Sequence, residues 1–138
     1  MARSYRILIA DDNAKWGFML QNLVEHFVPT ARITVVWDGA MVLAAHAVEP
    51  ADLIITDYHM PYINGIELIR QLRAGHDTTP IVLCSLDDIS DSASAIGASR
   101  FVSKVALFPA LNQAIGDLLP SDAWDAGTTA IDQAATVL

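Results

Sequence analysis

The sequence predicts an α/β fold, a doubly wound five-stranded parallel sheet with helices on both faces, three layers in all. Three observations carry that expectation. Short, continuous apolar runs recur five times, as in strands covered on both faces. Stretches of helical period separate them, the order of strand–helix units joined by right-handed crossovers. Finally, three runs end on charge: Asp11 and Asp12 follow Ile7-Leu8-Ile9-Ala10, Asp57 follows Leu53-Ile54-Ile55-Thr56, and Lys104 comes soon after Phe101-Val102. The carboxyl ends of parallel strands are where open α/β sheets place their sites.

The expected strands are Tyr5–Ala10, Ile33–Trp37, Leu53–Thr56, Pro80–Ser85 and Arg100–Ser103. The first expected helix covers about residues 14–27, with Phe18, Leu20, Leu23, Val24 and Phe27 as its apolar face, and Pro29 forces its end. The second, about 40–48, starts after Asp38-Gly39 and stops before Pro50. The third, about 65–74, carries Ile66, Leu68, Ile69 and Leu72 and closes at Gly75. The fourth, about 89–98, is rich in serine, with Ile89, Ala93 and Ile96 as its apolar residues. It is expected to be the least stable helix. The fifth, about 109–119, begins on Pro109, which a first turn accepts, and carries Leu111, Ile115, Leu118 and Leu119. Residues 1–119 form the expected domain; 120–138 read as a tail or linker, with a short extra helix from about Ala130 as one option and Trp124 as a docking side chain.

Composition narrows the function. With 138 residues, 53% hydrophobic and 17% charged, the chain suits one globular core. A net charge of −8 disfavours direct binding to nucleic acid or to an anionic membrane. No apolar stretch reaches the roughly 20 residues of a membrane span. The single cysteine, Cys84, reads as a core residue and excludes a disulfide framework, which fits the cytoplasm. His26, His46 and His76 lack ligand spacing and read as surface or half-buried residues; Met19, Met41 and Met60 read as core or near-core filler.

The charged strand ends carry the chemistry. Taken singly, Asp11-Asp12-Asn13 could be no more than the cap of the first helix, and Lys104 a surface lysine. Jointly, there is an acid pair, an acid about 45 residues on and a lysine about 47 further, each at its own strand end; if those ends are neighbours, three carboxylates and one ammonium share a pocket. Such a cluster repels itself unless a divalent cation joins it. Asp57 also opens into Tyr58-His59-Met60-Pro61, where Pro61 and Gly65 shape a loop.

These pieces resemble the receiver domain of two-component response regulators. The match runs over about residues 5–119: the Asp11-Asp12 strand end, Asp57-Tyr58-His59-Met60-Pro61 with Gly65, Ser85 closing the fourth strand, Gly97-Ala98, and Phe101-Val102-Ser103-Lys104. The resemblance implies a flavodoxin-like topology and a phosphorylation switch in signal transduction rather than a metabolic enzyme. Asp57 would accept a phosphoryl group from a sensor histidine kinase or a histidine phosphotransfer protein. Asp11, Asp12, Asp57 and the backbone carbonyl of His59 would hold Mg²⁺, a small cation that takes oxygen ligands. Lys104 and Ser85 would contact phosphoryl oxygens, and Phe101 would turn inward as Ser85 moves. The surface of helix 4, strand 5 and helix 5 would then address a downstream protein, an attached output domain or a second copy of the chain as a homodimer.

Several positions depart from the family pattern or vary within it. Val105 stands where many relatives carry a proline, Leu86 where a small residue is common, and Phe101 where tyrosine is frequent. His59 and Asp87 occupy positions that tune loss of the phosphoryl group. Two alternatives remain at this stage: an interaction module that signals without phosphorylation, and, remotely, a phosphatase of the haloacid dehalogenase type. The latter wants a second acid two residues after its nucleophile, where this chain has Asn13 after Asp11.

Overall fold

Each expected strand and helix is present. The computed structural model describes residues 4–120; the expectations for Trp124 and for a helix near Ala130 lie outside them. The order is β1 (Arg6–Ala10), α1 (Ala14–Phe27), β2 (Arg32–Val36), α2 (Gly39–Val48), β3 (Leu53–Asp57), α3 (Gly65–Ala74), β4 (Ile81–Ser85), α4 (Ser90–Ile96), β5 (Arg100–Ser103), a 3₁₀ turn (Lys104–Ala106) and α5 (Leu107–Leu118). All pairings are parallel and the strand order is β2-β1-β3-β4-β5. The chain reverses its winding between β1 and β3. In a doubly wound sheet that switch point opens a crevice at the strands' carboxyl ends.

Alternation along the strands divides the core in two. Ile7, Ile9, Leu53, Ile55, Val82, Cys84 and Val102 face α1 and α5, where they meet Leu20, Val24, Leu111 and Ile115. Leu8, Ala10, Ile54, Ile81 and Leu83 face the other way, onto Val42 of α2, Leu68, Ile69 and Leu72 of α3, and Ala93 of α4. β1, β3 and β4 carry the deepest residues, as continuous apolar runs require. α4 buries only Ala93 and has no side-chain cap at its start, in keeping with its polar sequence.

Helix starts are set by side chains. Asn13, Asp38 and Asn64 each accept a hydrogen bond from the backbone N–H three residues on, at 3.1, 2.7 and 2.9 Å. The cap of α1 is therefore Asn13, which leaves Asp11 and Asp12 free for other work. Gly65 is demanded by close approach: a Cβ there would collide with the carbonyl of Asp57. Gly97 ends α4 at φ +99°, a conformation glycine adopts without strain. α5 carries one non-helical residue, Phe108 (φ −103°, ψ 131°), so its regular part begins at Pro109 as expected; the Phe108-Pro109 peptide is cis.

Three side chains sit differently from their sequence reading. Phe18 and Met19 are 67% and 45% exposed, because the buried stripe of α1 runs through Gly17, Leu20 and Val24. His46 is buried and is neither a surface nor a half-buried residue. Its Nδ1 accepts from the Ala51 N–H at 2.9 Å and its Nε2 lies 2.7 Å from Asp77 Oδ2. This cluster ties the end of α2 to the loop before β4. Although burial acts to raise its pKa, hydrogen bonds from Thr79 and His46 bring Asp77 down to about 2. A carboxylate whose folded pKa is depressed stabilises the fold above its unfolded pKa and loses that contribution as pH falls through the folded value. Asp77→Asn is therefore expected to lose about 1 kcal/mol at pH 7, a figure discounted for the side chain's partial exposure. The loss should fade as pH drops from about 5 towards 2, which urea unfolding across that range measures.

Candidate functional site

The site is assembled by strand register. Asp11 is the first residue past β1, Asp57 the last of β3, Ser85 the last of β4, and Lys104 the first past β5. Because β1, β3, β4 and β5 are adjacent and parallel, all four project at one end of the sheet. Asp11, Asp57, Ser85 and Lys104 are buried, while Asp12 is exposed at the rim.

Lys104 spans the gap between strands. Its Nζ lies 2.6 Å from Asp11 Oδ2 and 3.0 Å from Asp57 Oδ1. The other oxygen of Asp11 accepts the Asn13 N–H at 2.9 Å. One ammonium cannot neutralise three acids: Asp11, Asp12 and Asp57 each offer a carboxylate oxygen, and these oxygens lie within 4.8 Å of one another. The donor set is all hard oxygen, partly buried and doubly negative after Lys104 is counted, which fits a divalent cation that prefers oxygen. The acidic pocket can hold a metal.

Burial pushes the Asp57 carboxyl above its usual range, more than its bond to Lys104 pulls it down. For Lys104, burial acts the other way but is outweighed by Asp11 and Asp57, which hold the ammonium above its ordinary pKa. Lys104 thus stays charged at neutral pH, while burial makes the ionised form of Asp57 costly. Behind them Cys84 is buried and its thiol is pushed up to about 12, so it is inert core as expected.

Other residues singled out in the sequence fall around this centre. The Ser85 hydroxyl oxygen accepts the Asp87 N–H at 3.1 Å, which leaves its proton available. Phe101 is half-buried and packs against the core beneath α4. His59 and Asp87 meet across the mouth, Nε2 to Oδ2 at 2.8 Å, on side chains about two-thirds exposed. Both were legible as residues, but their pairing across 28 positions was not. Sequence reasoning missed Trp16, whose ring centroid lies 4.8 Å from Lys104 Nζ. An aromatic residue near an acid pair carries no pattern that would have marked it. Beside the acids a groove of about 380 Å³ opens between α1 and β2, lined by Asp11, Asp12, Gly17, Phe18, Val35 and Trp37.

The family model for the response regulator receiver domain matches residues 7–116. The chain belongs to the receiver domain family. The sensory/regulatory protein RpfC of Xanthomonas campestris pv. campestris is 35% identical over 126 residues, 86% of this chain and 17% of that protein. The cyclic di-GMP phosphodiesterase response regulator RpfG of the same organism is 29% identical over 103 residues, 71% of this chain and 27% of that protein. The chain thus spans well under a third of either relative's length. Among solved structures, the Francisella response regulator 1452 receiver domain superposes with a TM-score of 0.71 at 25% identity, covering 83% of this chain and 98% of its own. A putative response regulator from Chloroflexus aurantiacus shares the fold, with a TM-score of 0.76 at 21% identity over 84% of this chain and 98% of that one.

The receiver is a signalling domain, of a family that works with histidine kinases or phosphotransfer proteins and with output domains. Neither the dehalogenase-type phosphatase nor the phosphorylation-independent module is favoured by these matches. Among the described residues, no helix is long and apolar enough to cross a membrane. The raised pKa of Asp57 has a consequence for stability: an acid whose folded pKa lies above its unfolded one weakens the fold as pH rises through that interval. Asp57→Asn should therefore raise the urea midpoint of the receiver at pH 7. That gain should shrink as pH falls below about 4, where the wild-type carboxyl is protonated in both states.

Proposed function

We propose that this receiver accepts a phosphoryl group on Asp57 and that Lys104, Ser85 and Phe101 turn the event into a change of surface. The single observation that carries the reading is Lys104 Nζ seated between Asp11 and Asp57 at 2.6 and 3.0 Å. That ammonium already stands where the oxygens of a phosphoryl group on Asp57 would come.

An Asp57 carboxylate oxygen attacks phosphorus. The new O–P bond forms as the P–N bond to the donor's phosphohistidine breaks, and the imidazole leaves with the electron pair. Burial leaves Asp57 poorly solvated, so little hydration must be stripped before attack. Asp11, Asp12, Asp57 and the main-chain carbonyl of His59 would hold Mg²⁺, which when bound offsets the repulsion between nucleophile and phosphoryl group. Lys104 then exchanges a carboxylate contact for a phosphoryl oxygen, and the Ser85 hydroxyl donates to another. The new charge and acceptors favour whichever arrangement of the β4–α4 loop makes these contacts better. Among the described helices α4 is the least fixed by packing, with Ala93 alone buried, so it is the helix most easily moved. Phe101 lies beneath it and would follow Ser85 inward, changing the α4–β5–α5 surface that a downstream protein, an output domain or a second copy would read.

The donor is a sensor histidine kinase or a histidine phosphotransfer protein. Support comes from exposed apolar side chains: Phe18 and Trp37 line the groove beside Asp11 and Asp12, and Tyr62, Leu86, Val105 and Phe108, all more than half exposed, stand in the segments that follow β3, β4 and β5. Exposed apolar surface next to a charged centre suits a protein partner that brings its own phosphohistidine. His59 and Asp87, joined across the mouth, are placed to govern water at the phosphoryl group and hence its loss. We assign residues 1–119 to the receiver and 120–138 to its tail or linker, in a cytoplasmic signalling protein.

Incubation with acetyl phosphate and Mg²⁺ should add the mass of one phosphoryl group, and the addition should be absent in Asp57→Asn and abolished by EDTA. Lys104→Ala should retain some label yet fail to change the α4–β5–α5 surface in amide chemical shifts. A chain that takes no label from any donor, or an Asp57→Asn variant labelled like wild type, would sink the reading. Asp87→Ala should change the rate of label loss without changing its site, which a chase in donor-free buffer measures.

A further inference from the structure

Lys104 is held on three sides, and only two of them are carboxylates. Asp11 Oδ2 and Asp57 Oδ1 stand at 2.6 and 3.0 Å, and the ring of Trp16 lies 4.8 Å from the ammonium nitrogen. An ammonium has three N–H donors, and a cation over an aromatic face is drawn to the ring's negative quadrupole, most strongly for tryptophan. The indole is held by packing, partly buried against the core between the sheet, α1 and α5. The Trp16 backbone N–H donates to the capping Asn13 Oδ1 at 3.1 Å, which sets the first turn of α1 and so the point from which the ring projects. The Lys104 side chain is only 4% exposed, so the ring takes the place that hydrating water would occupy.

The three partners differ in what else is asked of them. On the reading above, Asp11 and Asp57 serve a metal, and Asp57 gives one oxygen to phosphorus. Both demands weaken contacts that now hold the ammonium. The indole is uncharged and is neither a phosphoryl acceptor nor a hard-metal ligand, so its hold does not change with the state of the acids. No help comes from the next residue, since Val105 is 79% exposed and fixes nothing.

We propose that Trp16 is a positioning residue that keeps the Lys104 ammonium facing Asp57 while its partners change from carboxylate to phosphoryl oxygen. The proposal rests on the phosphoacceptor reading of Asp57 and Lys104, but its spectroscopic arm does not need phosphorylation. The chain has two lysines, and Lys15 is exposed, so it serves as an internal reference. In proton NMR the ε-methylene of Lys104 should lie upfield of that of Lys15, shifted by the indole ring current. Trp16→Leu should abolish the difference, and Trp16→Phe should keep part of it. The rate of labelling by acetyl phosphate should fall between about five- and thirtyfold in Trp16→Leu, the factor a desolvated cation–π contact corresponds to, and recover most of that in Trp16→Phe. Circular dichroism of both variants separates loss of position from loss of fold, and the phenylalanine variant carries the test if leucine unfolds the chain. Absence of the upfield shift in the wild type, or wild-type labelling in a folded Trp16→Leu, overturns the proposal. If the wild type takes no label, it is the phosphoacceptor reading that fails, and the ring-current comparison still decides whether Trp16 holds Lys104.

Discussion

The structure depends on one ammonium standing between two strand ends. Without Lys104, the ends of β1 and β3 would present buried carboxylates to each other with no positive charge between them. With it, the cluster is tolerable but still negative. Buried charge is costly unless it is paired, and here pairing is deliberately incomplete. That residual imbalance leaves an all-oxygen cluster that can hold a divalent cation.

The fold is firmly packed where the acids sit and lightly packed at α4. β1, β3 and β4 are packed on both faces, so Asp11, Asp57 and Ser85 are held by strands that are buried almost throughout. The crossing of α3 over the end of β3 is so close that residue 65 tolerates no side chain. Opposite, α4 is short, serine-rich and anchored by a single buried alanine. A switch needs both kinds of element: one that holds the chemistry still and one whose energy differs little between two positions.

Other polar links hold the far end of the sheet and have no part in the site. His46, Asp77 and Thr79 fasten α2 to the loop before β4. Arg73 spans from the end of α3 to the carbonyls of Asp77, Thr79 and Gly97, at 2.8, 2.9 and 3.0 Å. Arg73 thereby fixes the trailing end of α4 while the loop at its leading end stays free to respond.

Much of this was legible in the chain itself. Strand number, helix order and the acids at strand ends follow from local pattern, because a strand buried on both faces must be apolar throughout and must end where charge begins. Local signals failed where the deciding partner is distant in sequence. Phe18 looked like core because its own helix offered an apolar face, and only the docking angle of α1 on the sheet exposes it. His46 looked unremarkable until the fold brought Asp77 across 31 positions to it. The seating of Lys104, 93 residues from Asp11, and of Trp16 against it, was likewise decided in three dimensions. The sequence by itself determined which charged residues end the strands and at which end of the sheet they gather. Tertiary packing alone decided their partners, since hydrogen bonds and ion pairs depend on ångström distances that no spacing along the chain encodes.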